Sequence, residues 1–206
     1  MRIKNNIKLD ICRFSHLLYN RGLVGAAGGN VSARKGERIF VTCGGKSLRS
    51  IGPEEIIEID LEGNIAGNNT GLRPSKEVDL HLNIYRARRD VDSVIHVHPV
   101  YATGFAVAGK PVPMVTAAAR LKLINIPLVG YAPPGSPELA RLVYHKLSEE
   151  KEKIKAVMLK DHGIITFTEG MEDCFNTAEL VEETARIAYI SGNISRAWAD
   201  IIGKVT

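Results

Sequence analysis

Short β-like segments alternate along the chain with amphipathic helical segments, and each apolar stretch is interrupted by glycine, proline or a charge. Hydrophobic spacing near 3.6 residues predicts helices at about 7–19, 74–87, 100–108, 137–146 and 171–189. Alternation and β-branched residues predict strands at about 30–33, 38–42, 56–60, 93–98, 128–131, 156–159 and 163–167. Antiparallel hairpins among such alternating elements predict a sheet covered by helices on both faces. The apolar stretches are far shorter than the ~20 residues of a membrane span, so a membrane partner is not expected.

Composition is that of an ordinary globular domain rather than a disordered, fibrous or disulfide-rich protein. The 206 residues are 45% apolar and 24% charged, enough for one domain that folds without a disulfide or a metal. Cys12, Cys43 and Cys174 are widely spaced and the N-terminal stretch has no apolar run, which predicts a cytoplasmic protein without an export signal. Basic residues are interleaved with acids despite a net charge of +4, so we expect phosphorylated small molecules rather than nucleic acid as partners.

The histidines give the first indication of chemistry. His96 and His98 are two residues apart on a predicted strand, so both imidazoles lie on one face. Such a pair alone is also typical of two half-buried strand histidines, but His162 follows at a predicted strand-to-strand turn. Three neutral imidazoles with a vacant fourth position suit a catalytic zinc ion. The other histidines are on predicted helices and are expected to be packing or surface residues: His16, His81 and His145.

Glu77 and several small-residue loops extend this candidate site. Glu77 follows Pro74, the expected start of a helix, where a carboxylate can face a cleft as a metal ligand or general base. A first-turn Glu is also a common partner of the helix dipole. Three loops could cradle an anion through backbone N–H groups, although glycine-rich loops also occur as simple turns: 28–32, 42–47 and 75–76. None has the spacing of a P-loop or of a dinucleotide-binding turn.

Six motifs, in this order, resemble the class II aldolase/adducin family: G-G-N-V-S (28–32), V-T-C-G-G (41–45), R-P-S-K-E (73–77), H-V-H-P (96–99), G-Y-A-P-P-G-S (130–136) and K-D-H-G (160–163). The resemblance covers nearly the whole chain. It implies an α/β fold, a single three-layer α/β/α domain over residues 1–206 with a central mixed, largely antiparallel sheet. It also implies a homotetramer with active sites between subunits.

The same resemblance implies roles for individual residues. His96, His98 and His162 would bind one zinc ion per subunit, or manganese or cobalt, with Glu77 as a fourth ligand at rest and as the acid/base in turnover. The implied site for the substrate phosphate consists of Gly29, Asn30, Gly44, Gly45, Ser75 and Lys76. The implied activity is that of a class II aldehyde-lyase, which reversibly cleaves a ketose 1-phosphate to dihydroxyacetone phosphate and an aldehyde.

Two departures from the family keep alternatives open. Sugar-phosphate aldolases of the family carry two serines before the glutamate, whereas Lys76 here resembles members that decarboxylate 3-oxo-tetronate 4-phosphates. Their aldehyde-side tyrosines are not evident, which leaves Tyr101 and Tyr131 as candidate replacements. A ribulose-5-phosphate 4-epimerase is a weaker alternative, because those relatives have Asp where this chain has Glu77. A non-catalytic adducin-like module is weaker too, because the histidine set is complete.

Overall fold

One sheet organises the chain. The computed structural model describes residues 7–66, 71–150 and 153–202, with side chains up to residue 196. The strands are β1 (Asn30–Lys35), β2 (Arg38–Thr42), β3 (Ile56–Ile59), β4 (Ser93–Val97), β5 (Leu128–Val129), β6 (Ala156–Leu159) and β7 (Gly163–Thr168). They lie in the order β3-β2-β1-β4-β7-β6-β5, and every neighbouring pair is antiparallel except β5 with β6. The expected mixed, largely antiparallel sheet is confirmed.

Helices cover both faces of this sheet. They are α1 (Ile7–Asn20), α2 (Val78–Ala87), α3 (Val100–Val107), α4 (Ala117–Lys122), α5 (Pro137–Glu149) and α6 (Met171–Ile202), with a short 3-10 helix at Pro53–Glu55. Helices α1, α3, α4 and α6 pack in one apolar cluster, and α2 and α5 pack in a second. In the described ranges no helix combines the length and apolar character that crossing a membrane requires.

The observed helices differ from the sequence expectation at four places, one of which is that α5 continues to Glu149 rather than ending near 146. Helix α2 begins at Val78 rather than near Pro74, because Arg73–Ser75 is held extended against Thr42–Gly44. The Gly44 N–H donates to Arg73 O at 3.0 Å and the Ser75 N–H donates to Thr42 O at 3.2 Å. Helix α6 continues beyond 189, and helix α4 was not predicted. Helix α4 is capped by the Thr116 hydroxyl, which accepts from the Ala119 N–H at 3.1 Å.

Strand β4 places the histidines relative to these layers. Ile95 and Val97 belong to the cluster under α1 and α6, whereas Val94 belongs to the cluster under α2 and α5. Because side chains alternate along a strand, His96 faces the α2 side with Val94. The end of β4 lies beside the start of β7, where Val97 pairs with Ile164. The expectations for residues 1–6, and both ends of the 1–206 domain, lie outside the described residues.

Candidate active site

Three imidazoles and one carboxylate meet at the end of β4. His96 Nε2 lies 3.0 Å from His98 Nε2 and 3.2 Å from His162 Nε2. Glu77 Oε2 lies 3.2 Å from His96 Nε2, and Glu77 Oε1 lies 3.2 Å from His162 Nε2. A tetrahedron with metal–ligand bonds of about 2.0 Å has edges of roughly 3.3 Å. The structure therefore brings together a donor set of the size that holds one metal ion.

Hydrogen bonding around His96 explains why this donor set fits a cation. His96 Nδ1 lies 2.9 Å from Ile164 O, and since a carbonyl can only accept, Nδ1 carries the proton. In the neutral ring Nε2 then carries a lone pair, and this lone pair faces two further ring nitrogens and a carboxylate oxygen. Burial lowers the pKa of His98 and of His162 to about 4, with the nearby His96 adding to the effect, so both are neutral near pH 7. A positive ion between lone pairs this close would relieve the repulsion among them.

Glu77 contributes its carboxylate from the residue just before α2. Its side chain makes no capping bond to the helix, so the carboxylate is free for the histidines. Burial by itself raises the pKa of Glu77, but its contacts with the His96 ring and the Asn30 amide, together with the nearby His162, lower it below its ordinary value. Glu77 Oε1 is buried without a hydrogen-bond partner among the described residues. An ionised carboxylate with a spare buried oxygen supports a role as a metal ligand.

The β6–β7 turn positions His162. The turn comprises Lys160–His162, and Asp161 adopts a left-handed φ of 57°, which Asp tolerates better than most residues. Gly163 follows at the start of β7, where an added Cβ would lie 2.5 Å from Val97 O and 2.7 Å from His98 Cδ2. Glycine is therefore required at this position for the turn and the end of β4 to approach each other.

The candidate phosphate residues line one cleft with the metal-binding set. Its volume is about 840 Å³, and its lining includes Glu77, His98 and His162 together with all six residues: Gly29, Asn30, Gly44, Gly45, Ser75 and Lys76. The N–H groups of Gly44 and Ser75 are used between loops, so these residues shape the cleft rather than donate from the backbone. The Ser75 hydroxyl accepts from the Glu77 N–H at 3.3 Å, which leaves its own proton to donate.

Two cations of the cleft were missed by the sequence reasoning. Lys46 and Arg73 line it along with Lys76, and both stand within or beside the glycine and R-P-S-K-E motifs. Lys46 is held by Glu55, with Nζ 2.9 Å from Oε1. Three basic side chains around one concave surface favour an anionic ligand.

His81 was expected to be a packing or surface residue, and the structure buries it but also gives it hydrogen-bond partners that the sequence did not indicate. His81 is completely buried, and its Nε2 contacts Asn30 Oδ1, while Asn30 Nδ2 donates to Glu77 Oε2 at 2.9 Å. Its position four residues after Glu77 on α2, on the same helix face, is the one sequence signal that could have indicated the link.

The two candidate tyrosines do not reach the cleft. Tyr101 lies at the start of α3 with its ring against Tyr189, at a centroid distance of 5.7 Å, and Tyr131 is exposed after β5. Among the described residues, those that line the cleft include no tyrosine. Within a single chain, these two tyrosines therefore lie outside the cleft that holds the candidate metal ligands.

Comparison with known proteins agrees with this geometry. Residues 9–189 match the sequence model of the Class II Aldolase and Adducin N-terminal domain. The chain belongs to this family. Its class II aldolase fold carries the histidine cluster and Glu77 at the end of β4, and the chain is a lyase of the class II aldolase type.

Individual class II aldolase relatives cover most of the chain. An L-fuculose phosphate aldolase of Methanococcus maripaludis (strain S2) is 36% identical over 186 residues, which span 90% of this chain and 96% of the relative. A 3-oxo-tetronate 4-phosphate decarboxylase of Haemophilus influenzae is 29% identical over 177 residues, which span 83% of this chain and 81% of the relative. The solved structure of an L-fuculose 1-phosphate aldolase superposes with a TM-score of 0.85 at 27% identity, over 93% of this chain and 89% of that one.

Proposed function

We propose that this protein is a zinc-dependent aldolase that cleaves a ketose 1-phosphate resembling L-fuculose 1-phosphate, reversibly, into dihydroxyacetone phosphate and an aldehyde. The observation that carries the proposal is the convergence of three imidazole Nε2 atoms and the Glu77 carboxylate at one end of a cationic cleft. Similarity to L-fuculose phosphate aldolases over nine-tenths of the chain supports the substrate class.

The residues fit a metal, and we assign His96, His98, His162 and, at rest, Glu77 to hold it. Zinc suits three imidazoles and a carboxylate at these separations, with manganese or cobalt as substitutes. When bound, the metal would polarise the ketose carbonyl and stabilise the negative charge left by carbon–carbon cleavage.

Glu77 is the group that we propose moves a proton. When the C3–C4 bond breaks, its electron pair stays on C3, and C3 needs a proton to become part of dihydroxyacetone phosphate. The C4 hydroxyl loses a proton as it becomes the aldehyde, so the overall reaction needs no further reactant. A buried carboxylate beside the reacting carbons can carry such a proton between substrate atoms.

The phosphate group is proposed to bind in the same cleft, at the loops beside the metal-binding set. The Ser75 hydroxyl and the Lys76 cation would hold it, and Gly29, Asn30, Gly44 and Gly45 would shape the loops around it. Lys46 and Arg73 add charge to this rim, which favours capture of a dianion from solution.

Assembly and location are also proposals. We propose a homotetramer with active sites at subunit interfaces, and the support is a set of exposed large apolar side chains: Val100, Val107, Leu121, Tyr189, Ile190 and Ile194. Size-exclusion chromatography with light scattering tests it, and a monomer at micromolar concentration contradicts it. A cytoplasmic location fits three buried cysteines that are all free thiols.

A decarboxylase acting on a 3-oxo-tetronate 4-phosphate is the second candidate. Lys46, Arg73 and Lys76 all line the cleft, and the substrate of such an enzyme carries a carboxylate as well as a phosphate. The relative from Haemophilus influenzae supports this alternative.

One assay separates these candidates. Dihydroxyacetone phosphate release is measured by a coupled reductase on a panel of ketose 1-phosphates, with zinc-loaded and chelated enzyme, and carbon dioxide is measured in parallel on 3-oxo-tetronate 4-phosphates. Metal-dependent dihydroxyacetone phosphate release is expected. Release of carbon dioxide alone would establish the decarboxylase instead.

The role of Glu77 has its own test. Glu77→Gln keeps the shape of the side chain and removes its charge, and we expect kcat to fall by roughly 10²–10⁴-fold. Glu172→Gln, the same change at an exposed position in α6, is the matched control and should leave kcat unchanged. A folded Glu77→Gln variant with nearly full activity would contradict the assigned role.

A further inference from the structure

A buried chain of hydrogen bonds continues behind Glu77, away from the cleft. Asn30 joins Glu77 to His81, and His81 Nδ1 lies 2.7 Å from Ser32 Oγ. Ser32 Oγ in turn lies 2.7 Å from the Tyr85 hydroxyl. All five residues are at most 5% exposed. Because buried polar groups are costly unless bonded, this continuous set constrains every member.

The chain of bonds arises from matched repeats in a helix and a strand. His81 and Tyr85 in α2 follow Glu77, the residue just before this helix, at steps of four residues, and each helical step of four residues rises about 6 Å. Asn30 and Ser32 are two residues apart on β1, a rise of about 6.6 Å. The helix and strand side chains therefore interleave, and the polar groups alternate between the two elements.

Donor and acceptor chemistry fixes the direction of every bond. The ionised Glu77 carboxylate only accepts, so Asn30 presents its NH₂ group to it and its carbonyl oxygen to His81. His81 Nε2 must then carry a proton, and Nδ1 accepts from the Ser32 hydroxyl. The Ser32 oxygen accepts from the Tyr85 O–H. Burial lowers the pKa of His81 to about 3, so the ring is neutral as this pattern requires.

We propose that His81, supported by Ser32 and Tyr85, is a positioning residue that locks the Asn30 amide so that its NH₂ group always faces Glu77. A flipped Asn30 amide would place its carbonyl oxygen against the carboxylate and its NH₂ group against the His81 N–H. His81 excludes that orientation without touching substrate or metal ligands. The Glu77 carboxylate is thereby held in one place when it acts on the proton, and this inference rests on the role proposed for Glu77.

Arg34 anchors the far end of this chain of hydrogen bonds. It is the next residue of β1 on the same face after Ser32, and its guanidinium lies 5.3 Å from the Tyr85 ring centre. The Arg34 Nη2 atom also donates to the carbonyl oxygens of Arg89 and Val91, at 2.7 and 2.6 Å. The last member of the chain, Tyr85, is therefore packed in place rather than loose.

Two substitutions at one position separate positioning from packing. Gln places its amide nitrogen near the position of His Nε2, so His81→Gln keeps the donor to Asn30. Asn is shorter and keeps only the contact with Ser32. With zinc-loaded enzyme, we expect His81→Asn to lower kcat by about 10–100-fold with little change in KM, and His81→Gln to retain most of kcat. Equal losses in the two variants, or a change confined to KM, would overturn the proposal.

Further variants guard against a folding failure. Tyr85→Phe removes only the hydroxyl at the end of the chain and should lower kcat less than His81→Asn does. Thr184→Val, which removes a buried hydroxyl bonded at 2.7 Å to Leu180 O in α6, is the stability-matched control and should leave kcat unchanged. If neither His81 variant folds, an unchanged kcat in a folded Ser32→Ala variant would overturn the proposal.

A second readout does not depend on the reaction. In ¹⁵N-histidine spectra of the whole protein, with and without zinc, His81 should be neutral with its proton on Nε2. A proton on Nδ1 would reverse the direction of the hydrogen bonds from Asn30 to Tyr85 and overturn the inference. If the wild type shows this tautomer but releases no dihydroxyacetone phosphate from any ketose 1-phosphate, the proposed function fails while the hydrogen-bond direction stands.

Discussion

Replacement of Gly163 by alanine tests whether backbone contact at the β6–β7 turn sets the geometry of the donor cluster. The new Cβ would lie 2.5 Å from Val97 O and 2.7 Å from His98 Cδ2. Ordinary contact begins at 3.4 Å, so the end of β4 must withdraw by about 0.9 Å, a movement that is large beside the 3.0 Å between the Nε2 atoms of His96 and His98. We expect a loss of about 1–3 kcal/mol in unfolding free energy and a loss of roughly tenfold or more in zinc affinity.

The assay for Gly163→Ala combines chelator competition for zinc affinity with thermal unfolding in the presence of excess chelator. At about 2–4 °C per kcal/mol for a chain of this size, the change in midpoint is readily measured. Gly192→Ala is the matched control, because Gly192 is exposed in α6 and a Cβ there would have no neighbour within 4 Å. If Gly163→Ala bound zinc like the wild type and unfolded at the temperature of Gly192→Ala, the reasoning from contact distances would be refuted.

Three further predictions concern charge and hydrogen bonding. Lys76→Ser should raise KM for a phosphorylated substrate more than it lowers kcat, and steady-state kinetics showing an unchanged KM would remove Lys76 from the phosphate site. Glu182→Gln should cost about 1 kcal/mol in urea unfolding, because the Glu182 oxygens accept from the Tyr101 and Ala102 N–H groups at 3.0 and 2.9 Å; an unchanged midpoint would contradict that capping role. Metal-free protein should lose stability as the pH falls below about 6.5, because unfolded His81 then binds a proton that folded His81 does not. Urea unfolding at pH 5.5 and 4.5 measures this loss, and the decrease in unfolding free energy should be about 1.4 kcal/mol per pH unit smaller in His81→Gln than in the wild type.

Local pattern was sufficient to predict the elements on which the site stands. The two-residue period of a strand placed His96 and His98 on one face, and two short apolar runs located His162 at the turn between them, whereas its approach to the other histidines depends on the β4–β7 pairing. The ordered motifs then indicated the family and the candidate ligands. These features depend on neighbours within a few residues, which is the range over which side-chain spacing determines direction.

Long-range contacts account for what the sequence did not show. Helix α2 starts late because residues near Thr42 pair with Arg73 and Ser75, about 30 positions away in the chain. The partner of His81 lies on β1, and only the β1–β4 register, which sets Asn30 opposite His96, brings the amide to Glu77. Single-sequence periodicity carries no information about such pairings.

The register of the central strands also bears on how the donor cluster behaves before metal arrives. Strand β4 is hydrogen-bonded to β1 on one side and to β7 on the other, so the backbones at His96 and the β7 carbonyl that orients its ring are fixed by the sheet itself. Their side chains have little freedom to move apart and relieve the close approach of lone pairs. Folding therefore maintains an electrostatic cost that a bound cation removes, and this preorganisation should favour tight metal binding rather than make the metal a requirement for folding.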